Sequence, residues 1–170
     1  ENARFVCEEH YGLFRAPPVQ LVCPPNLMFM YMPSHLNHMI FELMKNSLRA
    51  VVERYGVERE DHYPPIKVIV VEGKEDITIK ISDEGGGIPR SEVPLVWTYT
   101  YTTARPDDLD PDFQTSDFLA PMAGFGYGLP LARLYARYFG GDLKLISMEG
   151  YGTDVYLHLN RLSSSSEPLP

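Results

Sequence analysis

Two pairs of short β-prone segments, each joined by a glycine-containing turn, limit the folds open to this chain more than any other feature. Their apolar residues alternate or run together over a strand's length, and polar turns separate them, as expected for β-hairpins. The first pair is Ile66–Val71 with Asp76–Ser82, and the second is Leu143–Met148 with Thr153–Leu159. Strands that meet in hairpins form antiparallel sheet, so these segments predict a sheet whose pairing is mostly antiparallel.

Helical segments stand between and before these hairpins. The strongest begins at Pro33-Ser34, with Ser34 as a plausible N-cap, and ends near Gly56; its apolar residues recur at helical spacing. The other predicted elements are helices over Asn2–His10 and Leu129–Tyr138, a short helix after Ser91, and short strands at Val19–Val22 and Leu27–Tyr31. Regular strand–helix alternation is absent, which argues against a doubly wound parallel sheet. We therefore expect an α+β fold, a two-layer sandwich of a mixed, mostly antiparallel sheet with helices on one face.

Length and composition describe one folded unit. The 170 residues fit one domain, which we place at residues 1–162, with a low-complexity tail at 163–170 that we expect to be disordered. A net charge of −8 argues against nucleic-acid binding. The sequence contains no run of about 18 apolar residues, so we do not expect a helix that spans a membrane. The two cysteines lack metal-ligand spacing, and the absence of an initial Met favours a domain excised from a longer chain.

The long central helix carries a possible metal and proton-transfer pair. Glu42 and Asn46 are four residues apart, about 40° around the helix axis, with Arg49 on the same strip. An amide oxygen suits Mg²⁺, which keeps several waters and takes few protein ligands, and a carboxylate can take a proton from a hydroxyl. His38, one turn earlier, could hydrogen-bond to Glu42. For the motif alone, a solvated helix face is the competing interpretation.

A carboxylate followed by three glycines ends the first hairpin. Asp83 comes directly after the strand, and Gly85, Gly86 and Gly87 allow a sharp turn and a close backbone approach to a ligand. A carboxylate there can accept a hydrogen bond from the amino group of adenine. A glycine-rich turn with a helpful Asp explains the same residues without any ligand.

A second glycine cluster, Gly124-Phe-Gly-Tyr-Gly128, precedes the helix at Leu129. The open N–H groups of a helix start attract phosphate. The spacing differs from the dinucleotide fingerprint G-x-G-x-x-G, and the G-x-x-x-x-G-K-[ST] loop is absent. The preceding stretch, Thr98–Met122, is long and unpatterned, which is typical of a lid. Gly152-Thr153-Asp154 opens the last strand, and a plain turn explains it equally well.

These motifs, in this order, resemble the ATP-binding domain shared by histidine kinases, type II topoisomerases, heat-shock chaperone ATPases and mismatch-repair ATPases. The wording of Pro33–Ala50, Ala123–Pro130, Tyr138–Leu143 and Ser147–Asp154 is similar to that of the mitochondrial pyruvate dehydrogenase kinases and of the related branched-chain 2-oxoacid dehydrogenase kinase. The Asp-Glu-Gly-Gly-Gly form and the Glu-Pro-Leu-Pro ending resemble the plant-like members. An Asp-Trp tail motif of the animal members is missing.

The resemblance implies a role for each matched position. Glu42 would be the catalytic base, with His38 as its hydrogen-bonded neighbour, and Asn46 would ligate Mg²⁺. Asp83 would bind the adenine amino group. The remaining nucleotide contacts implied are Arg49, Gly85, Gly87, Thr102, Thr103, Gly124, Phe125, Gly126, Tyr127, Gly128, Leu129 and Thr153. The implied cofactors are ATP or ADP with Mg²⁺, and K⁺ is allowed.

The resemblance also implies a biological setting. The chain would be the ATP-binding domain of a serine kinase that phosphorylates and inactivates the E1 component of the pyruvate dehydrogenase complex in the mitochondrial matrix. Lipoyl-domain docking would need an amino-terminal helical-bundle domain absent from this sequence, and the full-length protein would be a homodimer. The alternatives are a branched-chain dehydrogenase kinase, a chaperone- or topoisomerase-like ATPase switch, a two-component histidine kinase, and a nucleotide-binding domain without transfer activity.

Overall fold

The protein was analysed as a computed structural model, which describes residues 1–101 and 126–161. In that part of the chain, helices and strands follow one another in the order α1 (Asn2–Tyr11), β1 (Val19–Val22), α2 (Pro33–Tyr55), β2 (Ile66–Glu72), β3 (Asp76–Asp83), α3 (Gly128–Tyr138), β4 (Asp142–Met148) and β5 (Gly152–Asn160). Short 3₁₀ helices occupy Val57–His62 and Leu95–Trp97. The order of elements and the sheet below confirm the expected α+β sandwich.

The described strands form one five-stranded sheet in the order β1-β2-β3-β5-β4. Both predicted hairpins are present, β2 with β3 and β4 with β5, and β3 pairs antiparallel with β5. Only the β1–β2 pair is parallel, and α2 connects these two strands. Asp83 faces Thr153 across the β3–β5 pair, so the end of the first hairpin meets the start of the last strand.

The helices cover one face of this sheet. Ile77, Ile79 and Ile81 of β3 point into the core as their alternation predicts, and α2 packs against this strand. The apolar stripe of α2 supplies Met39, Leu43, Leu48, Val51 and Val52 to the same core. Both α1 and α3 pack against α2. Asp83 continues the inward-facing positions of β3, which carries its carboxylate to the margin of the core.

Two local predictions were wrong. Leu27–Tyr31 is not a strand; Leu27, Phe29 and Tyr31 pack against the core, so side-chain packing alone produces their alternation. Ser34 is not the N-cap, because α2 begins at Pro33 and Met32 occupies the cap position without a side-chain hydrogen bond. Proline is favoured at the first helical position, because that position needs no N–H and its φ suits a helix. The short helix expected after Ser91 is present as the 3₁₀ helix Leu95–Trp97.

Several predictions concern residues outside the described ranges. They are most of the Thr98–Met122 segment, the glycine-cluster positions Gly124 and Phe125, the lid positions Thr102 and Thr103, and the tail at 163–170.

Candidate functional site

A cavity of about 520 Å³ lies between α2, the glycine turn after β3, the start of α3 and the strands β4 and β5. Its volume is within the range of pockets that hold small molecules. Most of the predicted site residues in the described ranges line it: Glu42, Asn46, Arg49, Asp83, Gly85, Gly87, Gly126, Gly128, Leu129 and Thr153. Residues from four separate motifs thus share one cavity.

The carboxylate of Asp83 lies at the inner wall and is 6% exposed. Its Oδ1 accepts hydrogen bonds from the backbone N–H groups of Gly85 (3.0 Å) and Thr153 (3.3 Å). The Ser47 hydroxyl donates a further bond to the same carboxylate. Burial raises the pKa of Asp83 above its usual value, while these three donors oppose the rise. An acceptor held this firmly can select a ligand that presents an N–H donor.

The glycines after Asp83 allow the turn to press against α2. A Cβ atom at Gly85 would collide with Ala50, and Gly87 has a φ of +71°, in the left-handed region that favours glycine. The turn is therefore seated directly on the helix. It forms a flat wall beside the Asp83 carboxylate, where a planar ring could lie.

Arg54 fastens this turn to the β4–β5 hairpin. Its Nη1 donates to the carbonyl oxygens of Glu84 (2.9 Å) and Tyr151 (2.5 Å), and its Nη2 donates to that of Gly150 (2.9 Å). The turns also bond directly, since the N–H of Gly86 donates to the Tyr151 carbonyl. One guanidinium on α2 thus ties the glycine turn that lines the cavity to the β4–β5 turn.

The exposed flank of α2 forms the opposite wall. Glu42 and Asn46 both reach the cavity, as the helical spacing predicts. Glu42 Oε1 pairs with Lys45 Nζ at 2.9 Å, and Arg49 Nε pairs with Glu53 Oε1 at 2.6 Å. The strip therefore presents one amide oxygen and two carboxylates, each carboxylate balanced by a cation on the same helix.

The start of α3 faces this strip. The first N–H groups of a helix have no acceptor within it, and Tyr127 provides no side-chain cap. Gly128 and Leu129, the first helical residues, line the cavity. A Cβ atom at Gly128 would lie 2.5 Å from Glu42 Oε2, so glycine is needed for this close approach. Open N–H donors at a helix start favour an anionic group such as phosphate.

Charge along the wall bears on what the cavity can hold. In the described part of the chain, its charged lining residues are Glu42, Glu53, Asp83, Glu92, Arg49 and Arg54. The balance is acidic, so a polyphosphate entering here requires a cation as well as the helix start. No cluster of three or more His, Cys, Asp or Glu residues suited to a metal occurs in the described ranges. Asn46 and Glu42 instead offer the few oxygen donors that suit a cation held mainly by phosphates.

Two predicted residues do not line the cavity. Tyr127 is 41% exposed and contacts Tyr99. The His38 ring lies edge-on to Tyr135 at 5.5 Å, and its Nε2 has no hydrogen-bond partner among the described residues. The hydrogen bond expected between His38 and Glu42 is not found in that part of the structure. Thr102, Thr103, Gly124 and Phe125 lie outside it.

Four residues that line the cavity were not predicted from the sequence, namely Ser47, Arg54, Glu92 and Tyr101. Lys45, which pairs with the cavity residue Glu42, was not predicted either. Ser47 and Lys45 adjoin the predicted Asn46, yet in a helix adjacent positions face different directions. Glu92 accepts a 2.6 Å hydrogen bond from the Tyr101 hydroxyl at the cavity rim, in a segment without a periodic pattern. Helical phase relative to Glu42 could have drawn attention to Lys45, three residues on.

Comparison with known sequences identifies the family. The sequence profile described as Histidine kinase-, DNA gyrase B-, and HSP90-like ATPase matches residues 32–163. The chain belongs to this ATPase family. The matched range includes the α2 strip, the glycine turn after β3 and the start of α3, which form walls of the cavity. Membership of this family implies that the domain binds ATP.

Individual relatives are similar over the whole ATPase domain. A protein named pyruvate dehydrogenase (acetyl-transferring) kinase, mitochondrial, from Schizosaccharomyces pombe is 64% identical over 99% of this chain and 40% of its own length. The Arabidopsis thaliana protein of that name is 57% identical over 100% of this chain and 46% of its own length. The Homo sapiens protein named pyruvate dehydrogenase (acetyl-transferring) kinase isozyme 3, mitochondrial, is 49% identical over 100% of this chain and 42% of its own length. These comparisons confirm the resemblance.

The chain spans less than half the length of these relatives. Among the described residues, no helix combines the length and apolar character needed to cross a bilayer.

Proposed function

We propose that this chain is the ATP-binding domain of a protein serine kinase that phosphorylates and inactivates the E1 component of pyruvate dehydrogenase. The observation that carries the proposal is the convergence of Asp83, the Glu42–Asn46 strip and the start of α3 on one cavity. The names of the relatives support the choice of reaction and substrate.

Adenine recognition falls to the inner wall. Asp83 accepts a hydrogen bond from the exocyclic amino group, while Gly85, Gly87 and Thr153 form the surface against the ring. The carboxylate is oriented before the ligand arrives, because backbone donors on two elements hold Oδ1. Guanine presents a carbonyl at the equivalent position, so this arrangement favours adenine over guanine.

The polyphosphate extends toward α3. Its oxygens accept hydrogen bonds from the N–H groups of Gly128 and Leu129. The resemblance implies further phosphate contacts from Gly124, Phe125, Gly126 and Tyr127. It also implies nucleotide contacts from Thr102 and Thr103. Arg49 lies beside it on α2. Asn46 would hold Mg²⁺, which neutralises phosphate charge when bound. The acidic wall fits this need for a cation. K⁺ is a further candidate cation.

Proton transfer falls to Glu42. The substrate serine hydroxyl gives its proton to the Glu42 carboxylate, and its oxygen bonds to the γ-phosphorus. The bond from that phosphorus to the β–γ bridging oxygen breaks, and ADP leaves with the electron pair. The protein mainly positions the reactants and stabilises charge in such a transfer. His38 is proposed as the neighbour that assists Glu42, although the hydrogen bond between them is not observed in the described ranges.

The wider setting is proposed from the relatives. We place the protein in mitochondria, as their names indicate, and specifically in the matrix, where E1 is its substrate. Lipoyl-domain docking and homodimer formation are proposed from the resemblance to this kinase family. Among the members, the plant-like kinases are the ones its glycine turn resembles.

A labelled-phosphate assay tests the proposal. The chain is incubated with γ-labelled ATP and Mg²⁺, with pyruvate dehydrogenase E1, with branched-chain dehydrogenase E1, or with neither. Acid-stable phosphoserine on pyruvate dehydrogenase E1, lost in Glu42→Gln, is the expected result. Preferred labelling of the branched-chain E1 would overturn the substrate. Acid-labile label, or hydrolysis alone, would overturn the reaction in favour of a histidine kinase or an ATPase switch.

A further inference from the structure

Lys45 is a charged side chain buried at the back of the proposed site. It is 4% exposed, and its ammonium lies 2.9 Å from Glu42 Oε1 and 5.1 Å from the centre of the Phe41 ring. A buried ammonium is costly unless it is paired, and Glu42 is the partner that the structure shows. Lys45 is not among the described residues that line the cavity, so its effect on the site passes through Glu42.

The two oxygens of Glu42 have different surroundings. Oε1 faces Lys45, whereas Oε2 faces the start of α3, where a Cβ on Gly128 would lie 2.5 Å from it. On the helix, Lys45 lies about 60° to one side of Glu42 and Asn46 about 40° to the other. The ammonium therefore binds Oε1 from the side of Glu42 that is opposite Asn46. The other oxygen, Oε2, is the one that faces the cavity.

We propose that Lys45 is a positioning residue that fixes the Glu42 carboxylate with Oε2 presented to the substrate hydroxyl. The inference rests on the proposed role of Glu42 as the base. Misplacing a reacting group by about 1 Å can lower a rate by about 10²-fold. An ion pair between residues three apart on one helix restricts the carboxylate in this way, because the buried Lys45 ammonium holds one of its two oxygens.

The test compares Lys45→Met, which keeps the length of the side chain and removes the ammonium, with Lys45→Gln, which keeps a hydrogen-bond donor. We expect Lys45→Met to lower kcat for phosphate transfer by about 10²-fold and to leave the Kd for ATP unchanged. Lys45→Gln should recover part of the rate. Lys74→Met, on an exposed turn, is the matched control and should behave as the wild type.

A double-mutant cycle separates positioning from general damage to the fold. In a Glu42→Gln background, Lys45→Met should cause no further loss of kcat, because the group that Lys45 positions is already disabled. Equal fractional losses in both backgrounds, or a loss of ATP affinity matching the loss of kcat, would contradict the proposal. Lys45→Gln serves for the cycle if Lys45→Met does not fold.

A crystal structure of the Lys45 variant decides the matter independently of activity. The proposal requires Glu42 Oε2 to leave its place beside Gly128, and an unmoved carboxylate overturns it. A wild-type chain that fails to bind ATP or to phosphorylate E1 is a failure of the proposed function instead. The position of the carboxylate still tests Lys45 in that case.

Discussion

The backbone N–H of Thr153 donates to Asp83 Oδ1 over 3.3 Å, which ties the first residues of β5 to the carboxylate that ends β3. The two residues are directly opposite in the β3–β5 pair. With Gly85 on the following turn and Ser47 on α2, donors on three elements hold one buried acid. The orientation of Asp83 is thus a property of the whole fold, and the predictions below depend on it.

Asp83 should make stability depend on pH in a defined direction. Burial raises its pKa in the folded state above 3.8, so its contribution to stability is present at low pH and is lost as pH rises through the raised value. Asp83→Asn removes this dependence. Urea unfolding from about pH 4 to about pH 7 should show Asp83→Asn gaining stability relative to the wild type as pH rises. An Asp83→Asn variant that loses stability relative to the wild type as pH rises would be inconsistent with the burial argument.

Arg54→Met should weaken ATP binding without disabling transfer. The guanidinium donates to the carbonyl oxygens of Glu84, Tyr151 and Gly150. Its loss should therefore loosen the glycine turn that forms the adenine wall, while Glu42 stays in place. We expect Kd for ATP to rise by about tenfold, or about 1.4 kcal/mol, with kcat little changed. Calorimetry and initial rates measure the two. Arg59→Met, an equal charge change on the exposed 3₁₀ turn, is the control, and a matching effect there would refute the clamp.

Gly128→Ala should disable the site while preserving the fold. The added methyl would lie 2.5 Å from Glu42 Oε2 and would displace the carboxylate from the position in which Lys45 holds it. The displacement involves one side chain and no backbone atom, so its cost to folding is small. We expect an unchanged melting temperature and a fall in kcat of about 10²-fold. Thermal unfolding and the E1 transfer assay provide the readouts. A variant with wild-type kcat would show that this close approach has no bearing on transfer.

Asn46→Ala should affect only metal-dependent steps. If Asn46 holds Mg²⁺, its loss should reduce transfer by on the order of 10²–10³-fold and abolish the gain in ATP affinity that Mg²⁺ gives. ATP affinity in the presence of a chelator should match the wild type. Asn37→Ala on the same helix is exposed and provides the control. Retention of full Mg²⁺-dependent activity by Asn46→Ala would show that the metal is held elsewhere.

Local patterns were sufficient for much of the fold. The period of two in Ile77, Ile79 and Ile81 and the helical period of α2 report directly which faces are buried, so both hairpins and the main helix could be predicted. The same patterns misled at Leu27–Tyr31, because alternate packing against a core does not require a strand partner. The cap at Ser34 failed because Pro33 begins the helix.

The convergence of motifs could be predicted, but the contacts that support them could not. Asp83 could be predicted because it is a carboxylate beside a glycine-rich turn. Glu42 and Asn46 could be predicted because they lie four residues apart on a helix. Arg54 could not, because its acceptors on Glu84 and Tyr151 are 30 and 97 residues away in sequence. From the sequence Lys45 resembles a surface lysine, whereas in the structure it is buried and its ammonium lies over the Phe41 ring. Such roles arise from tertiary contacts, which short-range patterns do not encode.

The most direct test of the account is a calorimetric titration of ATP and of inorganic triphosphate into the wild type and Asp83→Asn. Asparagine can still accept from Gly85 and Thr153 through its amide oxygen, but its NH₂ group repels the amino group of adenine. The account predicts a loss of ATP affinity of about 10- to 100-fold with triphosphate binding unchanged. Equal losses for both ligands, or none for ATP, would contradict adenine recognition in this cavity.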